Sequence, residues 1–460
     1  MRIDKLTLHK VGPFESAEIV FEKGTDPNLA DVYLLTGPNG SGKSTALYSI
    51  ASLIGSKNLG PALGCQRLRT AESFAIVSTD GKPRHGMMWG HAAGMYNQAI
   101  HGEFSRRLPD PSAFSDIGHV HFFSSGSGLG ELPYAYYGRQ FDAMEPADAR
   151  RNFSWAVFAY AGTRSLENGR AEAVKEPNEN PFLNSLSFLA TTESSQLFEW
   201  IVSQNYKRLL AKDAGDSKAS QNLERSVRDI ERVIAEIIGE EFSFHINGLD
   251  VQARVGGAGR SPISLGLLPD GLKSIISWVA DLLMRLDRIP WVDDTPPMKR
   301  KFLLLLDEID IHLHPAWQRR VLPFVQKLFP KAQIIASTHS PFVVASAADA
   351  KIIQLKVEDG VASVAHTLPS QIGSSYISVL RSVFGIDSEF DVETEGLFAK
   401  FYEERDRLLS GVASEVSAMD ELGEELSARG EEVADIVAIE LRQVRRQLGQ
   451  RDAAATGKAA

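Results

Sequence analysis

One stretch near the start of the chain constrains its fold more than any other: Leu34-Leu35-Thr36-Gly37-Pro38-Asn39-Gly40-Ser41-Gly42-Lys43-Ser44-Thr45-Ala46. It reads as a hydrophobic strand end, a glycine-rich loop and a helix start, with the spacing G-x-x-x-x-G-K-S. Gly37, Gly40 and Gly42 let the backbone curl so that successive N–H groups face one anion, to which the next helix presents its positive end. Pro38, Asn39, Ser41 and Thr45 complete the cradle. Lys43 reaches the β- and γ-phosphates, and the Ser44 hydroxyl can ligate Mg2+. The stretch predicts an α/β core that binds a nucleoside triphosphate with Mg2+.

Bulk properties narrow the class. At 460 residues the chain is long enough for two or three lobes, and 43% hydrophobic with 23% charged residues is ordinary for a globular protein. A net charge of −10 argues against a globally basic nucleic-acid binder. Cys65 is the single cysteine, so neither an intrachain disulfide nor a cysteine-based zinc site is available. The start reads as a charged strand and not as a signal peptide. The apolar run Phe302 to Leu306 is too short to cross a bilayer. A cytoplasmic protein without a membrane partner is expected.

Hydrophobic period lays out the elements. Ile3, Leu6 and Leu8, then Ile19, Val20 and Phe21, predict two antiparallel strands joined through Gly12-Pro13-Phe14. Val32 to Leu35 is the buried strand feeding the loop, and Ala46 to Ile54 the helix leaving it. Residues 60 to 165 mix strand-like pieces such as Phe74-Ala75-Ile76-Val77 with turns whose order the period leaves open, and 166 to 180 read as a loop. Between 182 and 245 the pattern is helical, with Phe198, Ile201 and Val202 on one face and Val227, Ile230, Val233, Ile234 and Ile237 on another. That stretch is too short for a long coiled-coil arm. A second α/β block is expected from 250 to 385, charged helices from 390 to 450, and a disordered tail from Ala453 to Ala460.

Two further motifs carry chemistry. Phe302-Leu303-Leu304-Leu305-Leu306-Asp307-Glu308 looks like a central parallel strand whose C-terminal end meets a ligand. Asp307 would hold the Mg2+ shell, and Glu308 would polarise a water for in-line attack on the γ-phosphate. Gln333-Ile334-Ile335-Ala336-Ser337-Thr338-His339-Ser340-Pro341 reads as another buried strand, stopped by Pro341. If the two strands are neighbours, His339 lies beside the carboxylates and can hydrogen-bond the γ-phosphate and the attacking water. Glu308 and His339 are the expected catalytic residues, and Ser44 and Asp307 the expected metal ligands.

With these motifs the chain resembles the ABC-type ATPases of the RecF, SMC and OLD group over roughly residues 1 to 385. The opening hairpin, the Gly37–Thr45 loop, Tyr160-Ala161-Gly162-Thr163-Arg164, the run Asp307-Glu308-Ile309-Asp310-Ile311-His312-Leu313-His314-Pro315 and Ser337–Pro341 carry the likeness. It implies a P-loop NTPase of ABC-ATPase type with an N-terminal antiparallel β subdomain, a helical insertion and a C-terminal helical extension. The implied boundaries are 1–165 for the lobe with the phosphate loop and 166–250 for the insertion. The lobe with the signature, acidic strand end and histidine switch follows at 251–388, then the extension and tail at 389–460. The likeness also places the D-loop at Leu313-His314-Pro315, with His314 near a dimer interface. Zinc on His312, His314 and His339 is disfavoured, because two histidines two apart on a loop converge poorly.

The same resemblance asks for a signature before the Asp307 strand. Leu268-Pro269-Asp270-Gly271-Leu272-Lys273-Ser274 is the candidate, with Pro269 where a serine is usual. Gly271 would permit a close backbone approach, and the helix N-terminus would offer its dipole to a γ-phosphate across a dimer interface, with Asp270, Gly271 and Lys273 as nucleotide contacts. Lys273 or Ser274 could replace the missing hydroxyl. This departure implies slow hydrolysis. The glutamine-loop residue stays open among Gln66, Gln98 and Gln140. Arg67, Arg69, Arg106 and Arg107 are expected on a solvated surface, whereas Arg164 sits in a family-like context.

Three functions compete. A transporter ATPase is disfavoured by the hairpin start and the His-Leu-His-Pro run. A RecF/SMC-like DNA-binding ATPase of repair or recombination is the alternative. The preferred reading resembles the ATPase subunits of bacterial anti-phage defence systems of the Septu and PARIS kinds. In it, a homodimer or higher homo-oligomer serves as sensor and scaffold for a separate nuclease subunit of HNH or TOPRIM type. The roughly seventy residues after the core are too few for a TOPRIM domain, and Asp391 and Glu393 make no metal triad. Leu397, Phe398, Phe401, Val433, Ile436, Val437, Ile439 and Leu441 are spaced for a helical docking or oligomerisation surface, or for a helical cap on the chain's own core.

Overall fold

The computed structural model describes residues 2–54, 67–80, 85–90, 119–124, 153–162, 166, 169–175, 177, 181–182, 185–186, 188, 194–411 and 417–456. They form two compact units, 1–384 and 385–460, each with its own apolar core.

In the first unit β1 (Ile3–Val11) and β2 (Phe14–Val20) form the expected hairpin, followed by β3 (Asp31–Thr36) and α1 (Lys43–Ile54). Then come β4 (Phe74–Thr79), β5 (His85–Gly90), β6 (His119–Ser124) and β7 (Ala156–Tyr160). The helical pair is α2 (Ser194–Asp213) and α3 (Ser217–Ile238). A small antiparallel sheet of β8 (Phe242–Asn247), β9 (Asp250–Val255) and β10 (Ile263–Ser264) precedes α4 (Asp270–Arg288). The last stretch holds β11 (Phe302–Leu306), α5 (Pro315–Leu328), β12 (Gln333–Ser337), α6 (Pro341–Ser346), β13 (Lys351–Glu358), β14 (Val361–Leu368) and α7 (Tyr376–Phe384).

One 11-stranded sheet joins both ends of this sequence in the order β6-β5-β4-β1-β2-β14-β13-β3-β12-β11-β7. From β13 to β7 every pairing is parallel. β3, β7, β11 and β12 are almost wholly buried, so an unbroken apolar run suits them better than an alternating one. Their registers pair Leu306 with both Ala336 and Tyr160, and Ser337 with Leu35, so four strand C-termini end level.

Some elements depart from the sequence reading. Residues 242–247 form a strand, because Gly239 takes a left-handed φ of 79° and stops α3. The described residues between 181 and 188 are turns and, at Phe188, a left-handed φ of 47°, not helix. Pro341 opens α6 instead of stopping a strand, with Ser340 capping through its hydroxyl the amides of Phe342 and Val343.

The second unit packs α8 (Val392–Ser410), α9 (Ser417–Ser427) and α10 (Glu431–Thr456) around Phe401, Met419, Leu426, Val437 and Val444. α10 runs through Ala453 to Thr456, four residues expected in the tail, since alanine favours helix continuation. Leu397, Phe398, Phe401, Val433 and Val437 are buried in this bundle, so the apolar spacing serves mainly its own core and not a docking face; Ile439 stays 48% exposed. Arg405 ties the bundle by stacking on Tyr402 and bonding Glu440 at 3.2 Å. Phe401→Ala is expected to cost the bundle about 3–5 kcal/mol, read as a lowered denaturant midpoint of its helical signal; a midpoint equal to wild type would contradict this packing.

Candidate nucleotide site

The level strand ends create a crevice at their carboxyl side, where open α/β sheets bind ligands. The glycine-rich loop crosses it from β3 to α1. Gly37 adopts a φ of 141° and Gly42 one of 92°, both open mainly to glycine. A side chain on Gly37 would collide with the Leu355 carbonyl, and one on Gly42 with the Phe14 ring of the β1–β2 turn. The loop is therefore pressed between β13 and the hairpin. Lys43 Nζ donates to the carbonyls of Gly37 and Pro38, each at 2.9 Å. Burial lowers its pKa, opposed by the negative charges of Asp307, Glu308 and Asp310. An ammonium has three donors, so one N–H remains for a phosphate oxygen.

The carboxylates come from the neighbouring strand. Asp307 is buried, and its Oδ1 accepts the Ser337 hydroxyl at 2.6 Å and the Ser44 hydroxyl at 3.1 Å. Ser337 Oγ in turn accepts the Glu308 amide at 2.7 Å. Glu308 has a φ of 47°, a left-handed value that costs a residue with a side chain about 1 kcal/mol or more. Thr338 Oγ1 donates to Asp310 Oδ1 at 2.6 Å, and the His339 amide donates to the same oxygen at 3.3 Å. His339 itself is exposed at the mouth of the site. Partial desolvation, then the positive charge of Lys43, hold its pKa below the ordinary 6.5.

These residues fit the groups the loop implies. Two oxygens in the octahedral shell of a small cation such as Mg2+ lie about 3 Å apart. Ser44 Oγ and Asp307 Oδ1 are 3.1 Å apart. The Ser41 hydroxyl, fully buried in the loop, has no hydrogen-bond partner among the described residues.

Other expected residues are placed differently. Gly271 is buried, and a Cβ there would stand 2.5 Å from the His312 carbonyl oxygen and 3.3 Å from the Trp317 ring. Its open side is taken by its own chain, so the glycine serves packing of α4 on the 309–314 loop. Asp270 is exposed and pairs with Lys273 at 3.2 Å. Ser274 is only 1% exposed, which leaves Lys273 as the reachable replacement for the hydroxyl that Pro269 lacks. His314 is an N-cap, its Nδ1 accepting the Ala316 amide at 3.2 Å.

Sequence reasoning missed two groups. Arg67, expected on the surface, is half-buried: it donates to Thr45 Oγ1 at 2.8 Å and lies over the Tyr48 ring at 4.5 Å. Nothing local in the sequence signals this contact. Tyr48 is partly buried beside Asp307, and burial, then the Asp307 charge, pushes its pKa up to about 12. Its place one helical turn after Ser44 was a usable signal. Gln66, Gln98, Gln140, Arg106, Arg107, Arg164 and Cys65 lie outside the described residues.

Comparison with known proteins bears on this geometry. Residues 163–345 match a family described as AAA domain, putative AbiEii toxin, Type IV TA system, and residues 1–56 match an AAA domain family. The chain is 38% identical over 89 residues to Septu protein PtuA of Bacillus thuringiensis, 18% of this chain and 22% of the relative. It is 38% identical over 81 residues to the Retron Ec83 probable ATPase of Escherichia coli, 18% of this chain and 15% of that one. The matches thus span less than a quarter of these relatives' own lengths. A crystal structure of an SMC head bound to the C-winged helix domain of ScpA aligns over 80% of this chain and 98% of that chain, at 16% identity and a TM-score of 0.40. Among the described residues no helix is long and apolar enough to cross a membrane. Residues 1–56 and 163–345, which match these AAA-domain families, both contribute strands to the 11-stranded sheet that carries the site.

Proposed function

We propose that this chain is an ATPase that binds ATP with Mg2+, closes on it as a homodimer or higher homo-oligomer and hydrolyses it slowly. In this reading it is a cytoplasmic sensor and scaffold for a separate effector nuclease, of HNH or TOPRIM type, in bacterial anti-phage defence. The observation that carries closure is the openness of the site: Pro38, Asn39, Gly40 and His339 are exposed at its mouth. Efficient attack on a γ-phosphate needs stray water excluded, and a second copy can supply the cover. The start of α4 offers a suitable surface, with Asp270 exposed and Leu267 79% exposed beside it.

Within one copy, Lys43 and the loop amides would hold the β- and γ-phosphates. Ser44 and Asp307 would hold Mg2+, which when bound neutralises phosphate charge. Glu308 would accept the proton of the attacking water, and neutral His339 would hydrogen-bond the γ-phosphate. Pro269 in place of a hydroxyl at the start of α4 supports slow turnover. The similarity to a Septu protein and a retron ATPase supports the defence setting. In the second unit Asp391 caps α8 through the amides of Glu393 and Thr394, and Glu393 pairs with Arg429 at 2.9 Å. Both acids are thus engaged structurally.

The assembly reading is checked by light scattering of wild type, Lys43→Ala and Glu308→Gln with and without ATP and Mg2+. Glu308→Gln should accumulate a larger, ATP-dependent species, while Lys43→Ala stays small. The same mass for all three, with hydrolysis stimulated by DNA alone, would favour the repair ATPase instead.

His339 generates a pH dependence. Because its pKa lies below 6.5, it is mostly neutral at that pH and increasingly so above it, and hydrolysis should fall mainly as pH drops below 6.5. By linkage the group's contribution to stability is complete above 6.5 and is lost as pH falls through the folded value. A His339→Ala profile that keeps the wild-type acid limb would remove His339 from this role.

A further inference from the structure

Gly162, two residues past the end of β7, lies against Glu308. A Cβ on Gly162 would stand 2.6 Å from Glu308 Oε2 and 2.8 Å from Glu308 Cβ. The first approach could be relieved by swinging the carboxylate. The second could not, because the backbone of Glu308 is held at a φ of 47° and its amide is bonded to Ser337 Oγ. Carbon atoms in contact sit at about 3.5–4.0 Å, so any side chain at 162 moves the Glu308 backbone.

The strand that delivers Gly162 is itself anchored. Tyr160 donates its phenol to Asp281 Oδ2 at 2.8 Å, and the same oxygen accepts Arg285 Nε at 2.6 Å. Arg285 also donates to the Pro181 carbonyl at 2.8 Å. Both side chains of this ion pair are 4% exposed. Buried ion pairs add little net stability over apolar packing but can fix one arrangement against others. Asp281 and Arg285 belong to α4, the helix whose first turn carries Asp270 and Lys273 and whose Gly271 rests on the His312 carbonyl.

We infer that Gly162 is a positioning residue for Glu308, and that the Tyr160–Asp281–Arg285 network makes this placement answer to α4. The inference rests on the proposed role of Glu308. A displacement of the α4 first turn, such as contact with a partner-bound nucleotide would produce, is carried by Tyr160 to the end of β7 and so to the carboxylate that meets the water.

The test uses the full chain and measures ATP affinity, single-turnover hydrolysis and lifetime of the ATP-bound assembly for Gly162→Ala, Tyr160→Phe, Glu308→Asp, Glu308→Gln and the double variant Gly162→Ala/Glu308→Asp. Gly162→Ala should lower kcat about tenfold or more with ATP affinity nearly unchanged, and should prolong the assembly as Glu308→Gln does. Tyr160→Phe should act in the same direction, less strongly. Glu308→Asp should slow wild type and should not rescue the Gly162→Ala chain, because aspartate keeps the Cβ that the new methyl would meet. A wild-type rate in Gly162→Ala beside an inactive Glu308→Gln overturns this inference alone. Parallel losses of affinity, rate and melting temperature in Gly162→Ala, or recovery of its rate by Glu308→Asp, overturn it as well. A wild-type rate in Glu308→Gln overturns both the inference and the role of Glu308.

Discussion

The Asp307 carboxylate is the joint on which the nucleotide site depends. It receives hydroxyls from Ser44 on α1 and Ser337 on β12. Burying a carboxylate is costly unless donors satisfy it, so these elements are bound to one position together. The parallel register that pairs Leu306 with Ala336 makes the meeting possible, since a slip of one residue would turn Asp307 toward the opposite face. Ser337 extends the joint by accepting the Glu308 amide, so the strained backbone of that residue is held by the same group.

Missing side chains do much of the remaining assembly. Gly42 meets the Phe14 ring, Gly37 the Leu355 carbonyl, Gly271 the His312 carbonyl and Gly162 the Glu308 side chain. Each contact brings a chain segment closer than a Cβ would allow, and each ties one loop of the site to another element. The result is a site braced from behind and open in front.

How much of this could be read in advance follows from the range of each interaction. The phosphate loop, β3, β11 and β12 were legible because a motif and unbroken apolar runs are local signals, and Asp307 and His339 followed from the ends of those runs. The hairpin was equally plain from Ile3 to Phe21. The place of β7 beside β11 was not, because parallel pairing over a long separation leaves no mark in the period. Arg67 was read as a surface residue because only the folded chain brings it to Thr45 and Tyr48. The Gly271 signal was legible as a need for closeness but silent on the neighbour, which is the chain's own His312. In the second unit the apolar spacing was correctly seen, yet spacing alone does not say whether a helix face meets its own bundle or a partner.

In the proposed assembly two copies share each nucleotide site, the loop of one facing the α4 first turn of the other. Mixing two inactive chains tests it most directly: Lys43→Ala, which spoils the loop, and an Asp270→Ala/Lys273→Ala double variant, which spoils the turn. Mixed assemblies would contain one intact site, so the account predicts that hydrolysis absent from either chain alone returns on mixing. Full activity of the double variant by itself, or no recovery in mixtures shown to contain both chains, would contradict it.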